Sequence, residues 1–498
     1  MIKLSEALSR VYKIAQHHIV RSKDISRADR EVLVHGRWLQ PIVRGWYLLV
    51  RPDAPPGESS PWYASFWDFI GLYLQDLYGD RYCLSVENSL DLHVNVTTVP
   101  KQIIAIAEKG NNSPLELPFK TSLLTYGDRA NIPEETVQIK NVRIMSLPLA
   151  LCRVGPSYFI RQAKDAEIAL RLIKDPSELA YILLRYDFKK AAGRLVGAYE
   201  FLQEKDMTAQ LRALFAKERF LISVENPFKA EKPLLSSKIK SSYAAKIYML
   251  WQTYREMVIK ILPLPSPLKD KKTYFAELEK IYAQDAYNSL SIEGYQVSEA
   301  LIKRVIESDW NPDDNPQDKA SRDTLAAFGY YQAFSAVKVA IGHILEGQDP
   351  AGEAKKHLHD WMRCLFQPMV EVSVLRPEDL IGYRRCQVYI RGSRHIPFPK
   401  EALLDAMEAF FDCLQSEPHS AVRAVLGHFL FVYIHPYIDG NGRTARFLMN
   451  AMFASGGYPW TVIQVKNRVR YFAALESASV EGDIVPLAEF IREEMRGD

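Results

Sequence analysis

The segment His435-Pro436-Tyr437-Ile438-Asp439-Gly440-Asn441-Gly442-Arg443-Thr444-Ala445-Arg446 decides how the chain reads. An apolar run with helical spacing, Ala421 to Tyr433, leads into it. Pro436 ends that helix at or before His435, because the residue preceding a proline is pushed out of the helical region. Gly440-Asn441-Gly442 tolerates positive φ and leaves backbone N–H groups open to a ligand. A second helix is expected from Arg443 to about Ser455, so a glycine-rich turn feeds a helix N-terminus, a ready anion site. Arg443 and Arg446 lie three apart on one face and offer guanidinium forks matched to phosphate oxygens. Two cations in a first turn oppose the helix dipole, a cost that a bound anion would offset. Asp439, just before the turn, can hold Mg2+ through oxygen. His435 can take a proton from an incoming hydroxyl. One loop thus offers a base, a metal ligand and a polyphosphate cradle, the parts that nucleotidyl transfer needs.

The segment resembles the Fic family signature, HxFx(D/E)GNGRxxR, with Tyr437 where the family has Phe. The resemblance implies a protein adenylyltransferase that moves AMP from ATP to a Ser, Thr or Tyr hydroxyl of a target protein. It implies His435 as base, Asp439 as ligand of a Mg2+ cofactor, and Gly440, Asn441 and Gly442 as the nest for the α- and β-phosphates. Arg443 would face the β-phosphate and Arg446 the γ-phosphate. Gly382 to Pro399 carries Val388, Tyr389 and Ile390 near Gly392 and two prolines, which suggests a β-hairpin. It resembles the family's flap, on which a target segment docks by β-augmentation. Arg470 to Leu475 resembles the lining of the family's adenine pocket, with Tyr471 as the adenine contact.

Ser289-Leu290-Ser291-Ile292-Glu293-Gly294 resembles the family's inhibitory motif, (S/T)xxxE(G/N), at the end of a helix expected over Tyr274–Ser291. The resemblance implies that Glu293 pairs with Arg446, with Ser289 and Gly294 as the motif's other fixed positions. A carboxylate there takes the counter-charge of the γ-phosphate and repels the phosphate itself, so the enzyme is autoinhibited in cis. Two alternatives stay open. The same carboxylate could orient a water for removal of AMP. Or the domain is a nucleotide sensor in a DNA-binding transcriptional regulator, against which an intact His435 argues.

Working toward the N-terminus, Leu4 to Ile14 has helical spacing and residues 19–25 form a short element. Ser26 offers an N-cap to a helix through about Val34, with Gly36 as its stop. Trp38 to Val50 is a β-like run with turn marks at Pro41 and Gly45. That order is the order of a winged helix-turn-helix. The net charge of the chain is +3, and residues 1–60 hold ten Lys/Arg against six acids. The basic excess therefore sits here, with Lys23, Arg27, Arg30 and Arg44 as candidate DNA contacts. SKDISRADREVLVHGRWLQPIVRGWYLL resembles the winged helix of AbiE-type antitoxins, and CLSVENSLDLHVNVTTVP the start of the domain that follows it there. That resemblance implies the fold and DNA binding, without antitoxin activity.

The 498 residues are 48% hydrophobic and 25% charged, which excludes wholesale disorder. Five cysteines without a CxxC pair fit a reducing cytosol better than a zinc or disulfide framework. The longest apolar run, near Val425–Ile434, is interrupted by His428 and is too short for a bilayer. The start has no signal-peptide pattern. A cytoplasmic location without membrane contact is expected. Breaks at Pro52–Pro61 and Pro263–Pro267 divide an α+β, mainly α chain. The expected parts are a winged helix-turn-helix (1–60), a mixed α/β companion (62–225), a helical linker (230–310) with its inhibitory helix (274–294), and an all-α Fic core with a β-hairpin flap (320–498). Within them, strands are expected at Ile103–Ala107 and Val142–Met145. Helices are expected at Tyr158–Ile173, Leu195–Glu204 and Ser236–Ile261, and a loop at Trp310–Pro316. The expected partners are the target protein and DNA; a homodimer is admitted.

Overall fold

Leu4–Ile14 forms helix α1, whose Ala7 and Val11 turn inward. Strand β1 (Ile19–Arg21) leads through a short 3-10 turn to α2 (Arg27–His35). The Ser26 hydroxyl caps α2 by accepting from the Asp29 N–H, which satisfies one of the first-turn donors. Strands β2 (Leu39–Val43) and β3 (Trp46–Leu49) then pair around Gly45, and β1 joins the free edge of β3. Val20, Leu33, Leu39 and Leu49 close a small core behind them.

The computed structural model describes residues 4–53, 57–235, 241–264, 267, 270–306 and 321–496. The loop expected at Trp310–Pro316 lies outside the described residues. The chain divides into two compact units: Met1–Ser242 with Tyr389–Ile396, and Tyr243–Val388 with Pro397–Asp498.

In the first unit, α3 (Ser60–Tyr78) packs on β3, with Trp46 meeting Phe69 and Tyr73 at 5.7 Å between rings. Ile19, Ile42, Trp46, Leu48 and Val50 therefore share an apolar core with the segment that follows, beside the small core behind α1 and α2. Strand β4 (Tyr82–Leu84), helix α4 (Val86–His93), and strands β5 (Gln102–Ala107), β6 (Pro114–Leu117) and β7 (Thr121–Gly127) follow. They make a sheet of order β4-β5-β7-β6 in which only the β5–β7 pair is parallel. The hairpin β8 (Val137–Ile139) and β9 (Val142–Ile144) precedes helices α5 to α10, which fill residues 147–217. The single helix expected over Tyr158–Ile173 is broken at Gln162, where φ is −121° and ψ 43°. Nothing in the local sequence marks that break.

Tyr389–Ile396 belongs to this first unit. The Val99 N–H donates to the Arg394 carbonyl at 2.9 Å and the Ile396 N–H to the Thr97 carbonyl at 2.6 Å, around one antiparallel bridge between Thr98 and His395. Gly382 to Pro399 contains no strand, so the expected hairpin is an irregular loop. The carbonyls that a ladder would use are taken by side chains. Arg384 donates to those of Cys386 and Phe398, and Gln387 to those of Val388 and Pro397.

The second unit is helical. It holds α11 (Ser242–Ile261), α12 (Lys271–Ile292), α13 (Glu299–Ile306), α14 (Arg322–Leu345), α15 (Pro350–Glu371), α16 (Leu403–Ser416), α17 (Ser420–Ile434), α18 (Asn441–Ala454), α19 (Arg468–Glu476) and α20 (Val485–Arg496). Every residue of α17 except Arg423 and Val432 is buried. A helix apolar on all sides has to lie at the centre of its bundle, and α18 packs against it. The His435–Gly440 loop joins these two central helices, so its backbone is anchored at both ends in core. The chain is mainly helical with a few small sheets, as the sequence indicates. Among the described residues no helix is long and apolar enough to cross a membrane.

Candidate active site

His435 ends α17 in the left-handed region, φ 54° and ψ 59°, which turns the chain out of the helix before Pro436. Its Nδ1 lies 3.1 Å from the Val432 carbonyl oxygen. A carbonyl only accepts, so Nδ1 carries the proton and Nε2 is left with its lone pair. Burial pushes the His435 pKa down to about 4, so the imidazole is neutral near pH 7. Arg384 holds the turn from outside. Its backbone N–H donates to the Pro436 carbonyl at 2.9 Å and its Nε to the His435 carbonyl at 2.8 Å. Burial pulls the Arg384 guanidinium down to about 10.

Tyr437 anchors the loop against Phe431 and Tyr383. Its hydroxyl, the group that a Phe would lack, sits 3.3 Å from Nδ1 of His359. Asn441 closes the loop on itself. Its Nδ2 donates to the Tyr437 carbonyl at 2.8 Å and its Oδ1 accepts from the Tyr437 N–H at 3.0 Å. The Asn441 side chain therefore clamps the loop. Gly440 has φ 81°, and a Cβ there would lie 2.8 Å from Cε2 of Phe366. Both the turn and the close approach of Phe366 exclude a side chain.

Gly440 is also the N-cap of α18, and no side chain caps that helix. Its first-turn N–H groups are free to meet an anion. Arg443 is fully buried, with its guanidinium 5.1 Å from the Tyr295 ring centre and 4.9 Å from that of Phe366. None of its three side-chain nitrogens makes a hydrogen bond, and the nearest acid, Asp439 Oδ1, is 3.5 Å from Nη2. A buried cation with unmet donors is costly, and phosphate oxygens are the ligands that satisfy it. The Asp439 side chain is half exposed at the mouth of this nest. A cleft of about 700 Å³ opens beside it, bordered by Tyr295, Phe366, Met369, Tyr437 and Ile438.

Arg446 is satisfied by α12. Its Nε donates to Ser289 Oγ at 2.9 Å, and its Nη2 to the Ser289 carbonyl at 3.1 Å and to Glu293 Oε1 at 2.8 Å. Asp285, Ser289 and Glu293 fall four apart and so line one face of α12. Asp285 is buried, accepts from the Tyr330 hydroxyl at 2.6 Å, and is pushed by burial up to about 6. Gly294, at φ 92°, ends α12 just past Glu293, and the Tyr295 N–H returns to the Leu290 carbonyl at 3.2 Å. The Glu293 carboxylate lies over Gly442, where an added Cβ would collide with Oε1. The structure thus brings His435, Asp439, Gly440, Asn441, Gly442, Arg443 and Arg446 together with Ser289 and Glu293.

Other candidates are placed differently. Tyr471 is buried, with its hydroxyl 2.8 Å from His428 Nε2 and its ring stacked on Phe490 at 5.7 Å. Its ring is packed in the core, and its hydroxyl also lies close enough to Arg446 to interact with it. Of the expected flap residues, Tyr389 packs against the core of the first unit, and Val388, Tyr389 and Ile390 form no strand edge. Lys23 pairs with Asp76 at 2.6 Å and Arg27 with Glu31 at 2.8 Å. Arg30 is partly buried and Arg44 is exposed in the β2–β3 turn. Sequence reasoning missed Arg384, Tyr295, Phe366, Asp285 and Tyr330. Only Asp285 left a signal, its spacing of four from Ser289 on the same helix.

Residues 354–453 match the model of the Fic/DOC family. The chain is 32% identical over 221 residues to protein adenylyltransferase Fic of Drosophila willistoni, which is 43% of this chain and 40% of that protein. It is 30% identical over 217 residues to the protein of the same name from Drosophila virilis, or 43% of this chain and 41% of that one. The chain thus spans about two fifths of the length of these relatives. Among solved structures, a segment of Fic-1 from C. elegans matches at 17% identity and a TM-score of 0.37, over 68% of this chain and 93% of that one. The chain carries a Fic domain related to that of the proteins named protein adenylyltransferase Fic.

Proposed function

We propose that this chain transfers AMP from ATP to a Ser, Thr or Tyr hydroxyl of a target protein, and that Glu293 holds it off at rest. The observation that carries this is Arg443, a fully buried guanidinium without a hydrogen bond at the uncapped start of α18. The match of residues 354–453 to the Fic/DOC family and the 32% identity over 221 residues to a protein named adenylyltransferase support the same reaction. The phosphates of ATP would lie on Gly440, Asn441 and Gly442, with Arg443 and Arg446 balancing the charge that builds on departing pyrophosphate. Asp439, half exposed beside the nest, suits Mg2+, which when bound would neutralise phosphate charge. The target hydroxyl gives its proton to His435 Nε2 while its oxygen attacks the α-phosphorus. The new O–P bond forms as the bond to the β-phosphate oxygen breaks, and pyrophosphate leaves.

At rest the Glu293 carboxylate claims both Arg446 and the space over Gly442, so a triphosphate has to displace it. A second chemistry, removal of AMP, is open to the same group, because the Glu293 side chain stays 28% exposed and within reach of water. The test of the leading function is His435→Ala with labelled ATP. ATP binding is expected to persist while transfer falls by roughly 100- to 10,000-fold, the usual contribution of a positioned base. Transfer at the wild-type rate would remove His435 from that role. Loss of label from AMP-modified protein with the wild type, but not with Glu293→Gly, would favour AMP removal.

A further inference from the structure

His343 lies in the last turn of α14, and a turn containing Gly347 at φ 95° leads into α15. Asp349 caps α15, its carboxylate accepting from the Gly352 N–H at 2.8 Å. Glu353 stands in the first turn of α15, and His357 one turn further on the same face. Glu353 Oε2 is 2.7 Å from His343 Nδ1 and 3.4 Å from His357 Nε2, and the three atoms all lie within 4.8 Å of one another. The His357 Nε2 is buried and makes no hydrogen bond.

We propose that His343, Glu353 and His357 form a binding site for a tetrahedral transition-metal ion, Zn2+ foremost, at the α14–α15 turn. Ligand atoms about 2.0–2.1 Å from a tetrahedral zinc stand about 3.3 Å from one another. The Glu353–His357 separation of 3.4 Å already fits, and the 2.7 Å between Glu353 and His343 has to open by roughly half an ångström. Two imidazoles and one carboxylate make a three-ligand set with a fourth position open to water. Imidazole ligands select zinc, cobalt, nickel or copper over magnesium and calcium. The metal would give His357 Nε2 the directed bond that its 3.4 Å contact with Glu353 does not provide, and would pin the helix hairpin.

The site is separate from the phosphate nest. Phe366, the residue against Gly440, lies 13 positions beyond Glu353 on α15, which is about 20 Å of helix. It is also independent of the adenylyltransferase function, since it uses no residue of the nest.

The test is calorimetric titration of the full-length, metal-stripped protein with ZnCl2, for the wild type, His343→Ala and His357→Gln. Melting temperature in chelator establishes that each variant is folded, and Glu353→Gln replaces one that is not. The wild type is expected to bind one equivalent with a Kd of roughly 10 µM or tighter, and both variants at least tenfold more weakly. Cobalt is expected to give the visible bands of a tetrahedral site in the wild type alone, and MgCl2 in excess to leave them unchanged. Zinc is expected to raise the wild-type melting temperature by mass action. Equal zinc affinity in wild type and variants, or no binding at about 100 µM zinc, would overturn the proposal and leave an ordinary His343–Glu353 hydrogen bond.

Discussion

Glu293 and Arg446 stand 153 positions apart in sequence and meet at 2.8 Å through Oε1 and Nη2, over Gly442, the last residue of the phosphate nest. The Arg446 side chain is 6% exposed and that of Glu293 is 28% exposed. An ion pair so placed is little weakened by solvent, yet Glu293 stays close enough to water to leave. A triphosphate and Glu293 compete for one cation and one volume. A balance between them follows, and single substitutions in α12 should tip it.

Ser289 holds the same guanidinium through Oγ, at 2.9 Å from Nε. Ser289→Ala removes one hydrogen bond to a charged group, roughly 1.5–3 kcal/mol, and loosens Arg446 without freeing the space over Gly442. AMP transfer should rise about two- to fivefold, well short of what loss of Glu293 achieves. Initial rates with labelled ATP measure this, and a fall in rate would mean that Ser289 positions Arg446 for catalysis.

Acid dependence reports on the base. A free histidine loses its lone pair near pH 6.5, but burial pushes His435 down to about 4. The neutral form, and the activity it supports, is present above the folded value and lost only as pH falls through about 4. The kcat/KM for ATP of an activated variant should therefore be flat from pH 7.5 to about 5.5. An inflection near 6.5 would place the titrating group elsewhere.

Asp285 gives a slope of opposite sign in stability. Its folded pKa, about 6, lies above the usual carboxylate value of 3.8. The folded protein thus holds a proton that the unfolded chain releases. Its contribution is complete below pH 3.8 and lost as pH rises through about 6. Asp285→Asn should remain neutral throughout and flatten the decline between pH 4 and 6, read as the difference in urea midpoint from the wild type. Parallel pH profiles for the two proteins would show that Asp285 is ionised in the fold.

Gly440→Ala tests the turn. A Cβ at φ 81°, 2.8 Å from Phe366, should cost about 1–3 kcal/mol and lower the melting temperature by several degrees. An unchanged melt would show that Phe366 yields.

The central helices and the loop joining them were legible in the sequence because their physics is local. Apolar spacing, Pro436 and the Gly440-Asn441-Gly442 turn need no distant partner to be read. Ser289, Glu293 and Gly294 could be picked out by spacing and resemblance, but only the fold brings Glu293 over Gly442. Asn441 looked like part of a phosphate nest, and its side chain proves to clamp Tyr437, a contact four residues away that no pattern specifies. The Gly382–Pro399 segment looked like a hairpin from Val388 and Ile390. Arg384 and Gln387 take the carbonyls a ladder needs, and Tyr389 is drawn into a core built from the N-terminal half. The basic excess of the first 60 residues was visible, whereas the pairing of Lys23 with Asp76 depends on α3 folding back.

The competition between Glu293 and the triphosphate is tested most directly by Glu293→Gly, assayed beside the wild type for transfer of labelled AMP to itself and to proteins of a cell lysate. The variant should label at least about tenfold faster, a gain of roughly 1.4 kcal/mol in the barrier. Labelling no faster than the wild type at saturating ATP would contradict the account.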